Sequence, residues 1–239
     1  MIRVGTSGWH YNHWRGPFYP EKLPAAKMLE FYARHFDTVE INNSFYRLPT
    51  EKALEEWKAT VPAGFLFAMK ASRYITHMKK LKDAGDSFRK FFDAAAVLGK
   101  KLGPILFQLP PHWGPDPSRL DEFLSGLPRR LRYAFELRDP SWFNPEIEAI
   151  LRKHRAAFCV YDFDRRQSPA TVTADFVYVR LHGPEGKYAG SYGTPALKEW
   201  ARRIAAWSTG GKDVYCYFDN DQAGHAATDA LRLRSLTGS

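Results

Sequence analysis

Short apolar runs recur along the chain and predict a series of buried strands. The runs occupy residues 2–6, 38–41, 65–69, 105–109, 133–137, 157–161, 176–181 and 214–218. Most are separated by helical periodicity, clearest where Leu197, Trp200, Ala201, Ile204 and Ala205 share one helix face. Eight strands alternating with helices predict an α/β fold, a single (β/α)₈ TIM-type barrel domain over residues 1–239. An open doubly wound sheet is the alternative.

Local signals refine this architecture. A cap residue followed by proline predicts a helix start at three places, namely Asp116-Pro117, Asn144-Pro145 and Thr194-Pro195. The last helix is expected to run from about Gln222 with Asp221 as its cap. Residues 162–175, between the sixth and seventh runs, have no helical periodicity. We therefore expect the sixth helix of the barrel to be reduced or missing.

The stretch 38–48 places a carboxylate on a strand built for burial. Side chains alternate between the faces of a strand, so Val39 and Ile41 face one side while Glu40 and Asn42 face the other. If Val160 and Asp162 of the sixth strand face inward, the same alternation places a polar inward side chain at the carboxyl end of all eight strands. These residues are Ser7, Glu40, Asn42, Lys70, Ser72, Gln108, Glu136, Arg138, Asp162, Arg180, His182 and Asp219. Barrel active sites form at this end, so they are expected to converge at one mouth.

Glu40, Glu136 and Arg180 sit one residue inside their apolar runs, which favours deliberate placement over the ordinary onset of a loop. A buried charge needs a partner or a purpose. We favour a functional site over a purely structural ion-pair network, and both roles are compatible. Functional carboxylates are expected in a mouth open to water, where their replacement leaves stability unchanged or higher. Structural ones would be paired with Lys70, Arg138 or Arg180.

The loops after the strands add aromatic and basic residues. Aromatic side chains there either stack on a sugar or base or plug a lid over the barrel. They are Trp9, Tyr11, Trp14, Phe45, Tyr46, Trp113 and Trp142. The glycine-rich loop 182–193 brings backbone amides and Lys187 to the place where barrels often hold phosphate.

The charge of the chain first suggests nucleic acid. It carries net +9 with a pI near 9.5, and basic proteins often bind polyanions. Many cations instead lie at or just beyond predicted helix C-termini, where they complement the helix dipole. These are Lys100, Lys101, Arg129, Arg130, Arg132, Arg152, Lys153, Arg155, Arg232 and Arg234. The scaffold explanation is therefore favoured, and nucleic acid stays open as a partner.

Other functional classes find little support. The N-terminal residues read as a strand rather than a leader, and no run approaches a membrane span, so we expect a cytoplasmic protein without membrane attachment. Cys159 and Cys216 lie in apolar runs and are predicted to be reduced core residues. No Rossmann or P-loop motif opens a helix, so no organic cofactor is indicated. Oligomeric state is not encoded in any recognisable pattern.

The sequence also contains no strong motif for metal binding or covalent catalysis. The segment 218–221 with His225 and Asp229 is a weak metal motif, and the histidines are scattered without zinc-type spacing. A divalent metal is not indicated, although a magnesium ion brought by a phosphorylated ligand to Glu40, Glu136 or Asp162 stays open. Lys70 would suit a Schiff base if desolvated, but a paired cation is favoured. No serine or cysteine nucleophile motif appears.

Several motifs in order resemble one family from end to end. They are GTSGW-x-Y, EINNSFYR, FAMKASRYITH, LGPILFQLPP, AFELRDPSW, YVRLHG, YAGSY and VYCYFDND-x-x-GHA-x-x-DA. The chain thereby resembles the YecE-like family, the domain of unknown function numbered seventy-two, which has no settled activity. The resemblance implies a TIM-barrel-like fold. It also implies motif positions at Glu40, Asn42, Asn43, Lys70, Arg73, His77, Gln108, Glu136, Arg138, Asp139, Arg180, His182, Asp219, Asn220 and Asp221.

These observations favour an enzyme doing acid/base chemistry on a polar, anionic ligand such as a phosphorylated sugar or nucleotide-type molecule. Glu40 or Glu136 is the expected acid or base, Lys70, Arg138 and Arg180 stabilise charge, and His182 assists proton transfer. The remaining expected binding residues are Ser7, Trp9, Tyr11, Asn42, Asn43, Tyr46, Ser72, Arg73, His77, Gln108, Asp162, Lys187, Ser191, Tyr192, Asp219 and Asn220. The alternative is a non-catalytic nucleic-acid-binding barrel that uses the aromatic rim and basic loops.

Overall fold

A computed structural model describes residues 1–82 and 85–239. Its strands are β1 (Ile2–Thr6), β2 (Thr38–Ile41), β3 (Leu66–Lys70), β4 (Leu102–Gln108), β5 (Tyr133–Glu136), β6 (Ala157–Phe163), β7 (Arg166–Gln167), β8 (Phe176–Leu181) and β9 (Asp213–Phe218). The α-helices are α1 (Met28–Tyr32), α2 (Glu51–Thr60), α3 (Gly85–Val97), α4 (Pro117–Ser125), α5 (Pro145–Lys153), α6 (Thr194–Thr209) and α7 (His225–Thr237).

The main strands form one parallel sheet that curls into a nearly closed barrel. They follow the order β1, β9, β8, β6, β5, β4, β3, β2, and β7 pairs only with β6. All of these neighbours are parallel except the short β6 and β7 pair. The predicted eight-stranded α/β barrel is therefore confirmed.

The barrel closes between β1 and β2 through few bonds. Ser7 bridges Glu40 in parallel register, and the backbone N–H of Gly8 donates to the Glu40 carbonyl at 2.8 Å. Where the strands part, the Tyr32 hydroxyl from α1 accepts from the Thr6 N–H at 2.9 Å and donates to the Thr38 carbonyl at 3.1 Å. This phenol supplies partners to backbone groups that would otherwise be buried without them.

Apolar side chains fill the lower part of the barrel interior. Small residues on β3, β5 and β6 face large rings on β8 and β9, which gives a filled core rather than a pore. This interior cluster includes Ala68, Leu106, Ala134, Ala157, Cys159, Phe176, Tyr178, Tyr215 and Tyr217. A second and larger apolar cluster packs the outside of the barrel against the helices. Within this layer the Thr38 hydroxyl lies 2.7 Å from the Tyr217 hydroxyl, whereas Glu40, Glu136 and Arg180 lie at the carboxyl ends of their strands.

The interior cluster corrects the predicted facing of one strand. Ala157 and Cys159 of β6 face inward, while Val160 packs in the outer cluster, so Val160 and Asp162 do not face the barrel interior as predicted. Tyr161 instead takes the inward position beside Arg180 of β8. The strand is apolar on both faces, so its hydrophobic pattern does not fix which set points in, and a shift of one residue reverses every side chain.

The connection after β6 contains no helix. Residues 162–175, all of which the structure describes, instead form a hairpin with β7 followed by irregular chain. The two turn residues Asp164 and Arg165 have φ of 54° and 62°, the positive values that a two-residue type I′ hairpin requires. The expectation of a missing sixth helix is confirmed.

Two of the predicted helix caps are confirmed and two are wrong. The Asp116 side chain accepts from the Arg119 N–H at 3.1 Å, and the Asn144 side chain accepts from the Ile147 N–H at 3.0 Å. Thr194 is already inside α6, whose cap position is Gly193, and its hydroxyl accepts instead from Arg232.

Asp221 is the second wrong cap. It precedes a short 3₁₀ turn at Gln222–Gly224, makes no side-chain capping bond, and α7 starts at His225. Gly224, with φ of 78°, separates the turn from the helix, so the chain breaks where the sequence suggested one continuous helix.

Scaffold roles account for several of the clustered cations. The Lys101 ammonium donates to the carbonyl oxygens of Lys58 and Val61 at the end of α2, each at 2.6 Å. Intramolecular carboxylate partners also hold Arg132, Arg152, Lys153 and Arg232. Cys159 and Cys216 are free and buried, as expected. Within residues 1–82 and 85–239, every helix is too short or too polar to cross a bilayer.

The β1 and β2 seam generates a stability prediction. A Cβ at Gly5 would collide with the Thr38 carbonyl oxygen, a backbone atom that cannot move without disturbing the seam. We expect Gly5→Ala to lower stability by about 1–3 kcal/mol, as overpacking does. In a domain of this size that corresponds to about 2–4 °C of melting temperature per kcal/mol. Gly64→Ala is the control, since a Cβ there meets nothing within 4 Å. Equal melting of the two variants would contradict the tight seam.

Candidate active site at the barrel mouth

The guanidinium of Arg180, at the carboxyl end of β8, lies at the centre of the charged layer. Its Nη1 donates to Glu136 Oε2 at 2.7 Å, and its Nη2 donates to Glu40 Oε1 at 2.7 Å and to Asp219 Oδ2 at 2.8 Å. Arg180, Glu40 and Glu136 are each 0% exposed. One buried cation thus binds a carboxylate from each of β2, β5 and the end of β9. The prediction that these groups converge inward at one end is confirmed.

Both oxygens of Glu40 are occupied. Besides Arg180, Oε1 accepts from the Ser7 hydroxyl at 2.5 Å, and Oε2 accepts from the Tyr178 hydroxyl at 2.6 Å. Tyr178 belongs to the aromatic layer directly below. Glu40 therefore connects β1, β2 and β8 through one side chain.

Glu136 is held by two arginines. Its Oε1 accepts from Arg138 Nε and its Oε2 from Arg180. Burial raises the pKa of Glu136, but the guanidinium groups of Arg138 and Arg180 outweigh burial and hold the pKa well below its ordinary range. The carboxylate is therefore ionised and acts as a fixed negative charge.

Asp219 and His182 form the third edge of the cluster. Nε2 of His182 lies 3.1 Å from Arg138 Nη2 and 3.4 Å from Arg180 Nη1, and guanidinium nitrogens only donate. Nε2 therefore accepts and the ring hydrogen belongs on Nδ1, which lies 3.1 Å from Asp219 Oδ2. Burial raises the pKa of Asp219, but Arg180, His182 and Lys70 together lower it below its ordinary value.

Lys70, at the end of β3, differs from every other charge in the cluster. It is 5% exposed, and its Nζ lies 4.3 Å above the centre of the Phe45 ring. No acceptor in the described part of the chain lies within hydrogen-bonding or ion-pairing distance of this nitrogen. The prediction of a simple paired cation is wrong. Burial, followed by repulsion from Arg180, lowers the pKa of Lys70 to about 8, against opposing effects of Asp219, Glu136 and Glu40.

Further cations lie around His77, next to Lys70. The half-buried His77 packs edge-on against Phe45, with 5.1 Å between the ring centres. Burial lowers the pKa of His77 to about 4, helped by the positive charges of Lys70, Arg73 and Arg138. His77 lies in a π-helical turn at Tyr74–Met78, a conformation frequent at functional sites. A ligand that reaches this wall meets cations, while the carboxylates below are already paired.

Two amide oxygens on the β2 and β4 side of the mouth lack partners. The side-chain oxygens of Asn42 and Gln108 are buried and accept no hydrogen bond from any described residue. Buried acceptors without donors are rare in native structures and call for water or ligand. Together with Lys70 they provide unused polar capacity on the β2, β3 and β4 side of the mouth.

A groove of about 940 Å³ opens beside the cluster, between the ends of β4 and β5, the β6 and β7 hairpin and the loop after β8. Its lining includes Gln108, Arg138, Phe163, Arg166 and Lys187. The Arg138 guanidinium lies 3.7 Å above the Phe163 ring, which orients it between the groove and Glu136.

Several expected binding residues serve the scaffold instead. The Trp9 ring packs against Trp57 of α2 and against Phe67, on the outside of the barrel, so its predicted place at the mouth is wrong. Asp162 faces outward, and burial raises its pKa, opposed by hydrogen bonds from Gln167 and Tyr192. The Ser72 hydroxyl accepts from the Tyr74 N–H at the start of the π-helical turn.

The loop after β8 is fastened by one buried carboxylate. Asp229 of α7 accepts from the Ser191 hydroxyl, the Tyr192 N–H and the Asn220 amide at 2.8–2.9 Å. Gly183 N–H donates to the Tyr192 hydroxyl. The amides expected to bind phosphate are thus partly used inside the loop, and Lys187 pairs with Asp164 at 3.9 Å.

The aromatic residues mostly close the mouth rather than line it. Trp14, Phe45 and Trp142 are at most 7% exposed, and the Tyr11 hydroxyl donates to the Ser7 carbonyl. Tyr46 is 74% exposed, and its neighbour Asn43 is exposed as well. Of the two interpretations, a lid of packed rings fits the buried members better than a stacking surface.

Sequence reasoning missed Tyr178, Tyr161 and Phe163 as parts of the site. Tyr178 was recognisable as an inward residue two positions before Arg180, but its bond to Glu40 depends on three-dimensional placement. Tyr161 and Phe163 were hidden by the wrong facing assigned to β6. The expectation that Glu40 and Glu136 lie open to water is also wrong, because both are fully buried and paired.

The geometry of the site also bears on the possibility of a bound metal ion. Within the described ranges, no three histidine, cysteine, aspartate or glutamate side chains form a group able to hold a metal ion. Glu40, Glu136 and Asp219 direct oxygen atoms at Arg180 instead.

Comparison with known proteins places the chain in a family. The family model described as "Protein of unknown function DUF72" matches residues 3–239, so the chain belongs to that family. The UPF0759 protein YunF of Bacillus subtilis (strain 168) is 27% identical over 270 residues, covering 99% of this chain and 94% of YunF. YecE of Escherichia coli (strain K12) is 31% identical over 144 residues, which cover 60% of this chain and 50% of YecE. The resemblance inferred from the motifs is confirmed.

Solved structures agree on the fold. A DUF72 family protein of Thermotoga maritima matches with a TM-score of 0.88 and 27% identity over 100% of both chains. A DUF72 family protein of Enterococcus faecalis V583 matches with a TM-score of 0.83 and 22% identity over 100% of this chain and 96% of its own. D-Psicose 3-epimerase of Clostridium cellulolyticum H10, solved with D-tagatose, matches at 0.58 and 12% identity over 99% and 98% of the two chains, a likeness of fold alone.

The pairing of Glu40 and Glu136 generates a stability prediction. Removing one charge from a buried pair leaves its partner uncompensated and costs about 3–5 kcal/mol. We therefore expect Glu40→Gln and Glu136→Gln each to lower the melting temperature by roughly 10 °C, at about 2–4 °C per kcal/mol. The control is Glu30→Gln, whose partly exposed carboxylate also binds two cations, Lys27 and Arg34. A surface pair contributes only about 0–1 kcal/mol. Melting of the core variants within 2 °C of the control would contradict a structural role.

Proposed function

We propose that this member of the DUF72 family is an enzyme that performs acid/base chemistry on a polar, anionic small molecule, of the phosphorylated sugar or nucleotide type, at the mouth of its barrel. The observation that carries the proposal is Lys70, a buried ammonium without any hydrogen-bond or ion-pair partner among residues 1–82 and 85–239. An unpaired buried charge costs free energy, and such groups cluster at functional sites.

The anionic character of the ligand follows from the charges that are left over. The carboxylates of Glu40, Glu136 and Asp219 each pair with Arg180, and Glu136 also pairs with Arg138. Lys70 and the exposed Arg73 carry no such partner within the described chain, and both act on His77 as positive charges. The adjoining groove of about 940 Å³ has the size of a small-molecule pocket. A ligand with a phosphate or carboxylate complements this wall.

The acid/base assignment moves from the carboxylates to the lysine. A catalytic acid or base works best with a pKa near the working pH, and the pKa of Lys70 is lowered to about 8. Glu40 and Glu136 have every oxygen engaged and serve in this proposal to fix Arg180 and to supply negative potential below Lys70. His182 acts as a positioning residue between Arg138 and Asp219.

The nucleic-acid alternative receives less support from the same contacts. Stacking on bases requires exposed rings, whereas most of the aromatic residues proposed for that purpose are buried. Several of the basic residues that suggested it are bound within the protein. We therefore do not propose it as the function.

Sulfate tests the anion site because its charge is constant over the relevant pH range. We expect sulfate to raise the melting temperature of the wild type and to bind Lys70→Met about tenfold to a hundredfold more weakly, since a hydrogen bond to a charged group contributes about 1.5–3 kcal/mol. Lys70 is charged below its pKa of about 8, so affinity should be full below that pH and fall above it. Lys27→Met removes an exposed lysine outside the groove as the control. Unchanged sulfate affinity in Lys70→Met would contradict the site.

Hydrogen exchange tests the catalytic part. The protein is incubated in D₂O with ribose 5-phosphate or fructose 6-phosphate, and carbon-bound deuterium is measured by NMR. We expect uptake above the buffer rate with the wild type and with Lys27→Met, and at least tenfold slower uptake with Lys70→Met, because general acid/base catalysis contributes about 10²–10⁴-fold. Uptake at the buffer rate by a wild type that binds sulfate would leave a binding protein rather than an enzyme of phosphorylated sugars.

A further inference from the structure

We propose that Lys70 is a nucleophile that forms an imine with the carbonyl carbon of an anionic aldehyde or ketone bound at the barrel mouth. The inference rests on the proposed function, because it uses the same anion-binding wall, and it adds the substrate class and a covalent step. It starts from the placement of Nζ, which faces the Phe45 ring at 4.3 Å with no polar partner among the described residues. A nitrogen so placed has its lone pair free to react once the proton leaves.

Lys101 shows what a structural lysine looks like in this protein. Burial also lowers its pKa, with Lys58 adding repulsion. Its Nζ, however, donates to the Lys58 and Val61 carbonyl oxygens at 2.6 Å each, so its hydrogens are committed to the scaffold. Lys70 has the more buried position and none of these bonds. Desolvation without committed hydrogen bonds is the arrangement that activates an amine for imine formation.

The charges around Lys70 favour both the neutral amine that attacks and the protonated imine that forms. The neutral amine is favoured by burial and by the neighbouring Arg180, whereas Asp219, Glu136 and Glu40 favour a positive charge at Nζ. A protonated imine places its positive charge at that same nitrogen, above the three carboxylates. The anionic group of the substrate would meet Arg73 and Arg138, the cations that act with Lys70 on His77. An anion close to a carbonyl is thus the best complement to the site.

The step balances without an outside reagent. The Nζ lone pair adds to the carbonyl carbon, the carbonyl oxygen takes up a proton, and a proton leaves nitrogen to give a carbinolamine. The carbinolamine then loses water as the carbon–nitrogen double bond forms. One amine and one carbonyl give one imine and one water, and nothing is oxidised or reduced. The imine lowers the pKa of the adjacent C–H bond, which links this step to the proposed acid/base chemistry.

The test uses glyoxylate, a small anionic aldehyde, with sodium cyanoborohydride to reduce any imine to a stable secondary amine. Intact-protein mass and peptide mapping then report which lysines are modified and how fast. We expect Lys70 to be labelled at least tenfold faster than Lys52, whose side chain is 87% exposed. Sulfate should slow labelling of Lys70 and leave Lys52 unaffected. Propanal, a neutral aldehyde, should lose the preference for Lys70.

The labelling rates of the two lysines are compared within the wild-type protein, so this comparison does not require any variant to fold. Lys70→Met should remove the fast labelling, whereas Lys27→Met, which removes an exposed lysine outside the groove, should retain it. Labelling of Lys70 no faster than Lys52, in protein that binds sulfate, would overturn the imine while leaving the anion site intact. Fast labelling of Lys70 that sulfate does not slow would overturn the link to the anion site. A wild type that shows neither fast labelling nor sulfate binding would overturn both proposals together.

Discussion

The contact between Arg180 and three carboxylates is the constraint on which the upper half of the barrel depends. A buried ion costs several kcal/mol unless its partners are well placed, and Arg180 meets that requirement with bonds of 2.7–2.8 Å to Glu40, Glu136 and Asp219. Those partners, with Ser7, come from β1, β2, β5 and the end of β9. Any change in strand register would break at least one bond, so the cluster fixes register where the barrel seam has few backbone bonds of its own.

The cluster also separates the mouth into two layers with different duties. In the lower layer each carboxylate has a cation, and Glu40 is further anchored by the Tyr178 hydroxyl from the aromatic core. In the upper layer the Lys70 ammonium and the side-chain oxygens of Asn42 and Gln108 have no partner in the described chain. An ion-paired base beneath unpaired groups is the organisation that preorganised sites require, since fixed charges need no rearrangement when ligand binds. This division is why we propose Lys70, rather than Glu40 or Glu136, as the acid/base group.

Alternation along the strands was enough to predict the barrel and most of the inward charges, because Glu40, Glu136 and Arg180 interrupt apolar runs of known facing. It failed at Asp162, since β6 is buried on both faces and its pattern has no polar side from which to choose. It also could not distinguish Lys70 from Arg138. Both are inward cations near carboxylates, and only the positions of side-chain atoms reveal that Arg138 bonds to Glu136 while Lys70 has no hydrogen-bond or ion-pair partner in the described chain. Side-chain pairing between strands that are far apart in the chain cannot be predicted from the local sequence pattern.

The energetics of Lys70 argue that its isolation is not a structural device. The pKa of Lys70 is about 8 in the folded protein, against a reference value of 10.5. A shift of this size lowers the free energy of unfolding by ~3 kcal/mol. Because the folded pKa is the lower one, this cost is present in full below about pH 8 and is relieved only as pH rises toward 10.5. A methionine or leucine would fill the same space above Phe45 without the cost. The fold therefore carries a destabilising charge throughout the neutral range, and a ligand that supplies the missing anion or carbonyl is the partner that would offset it.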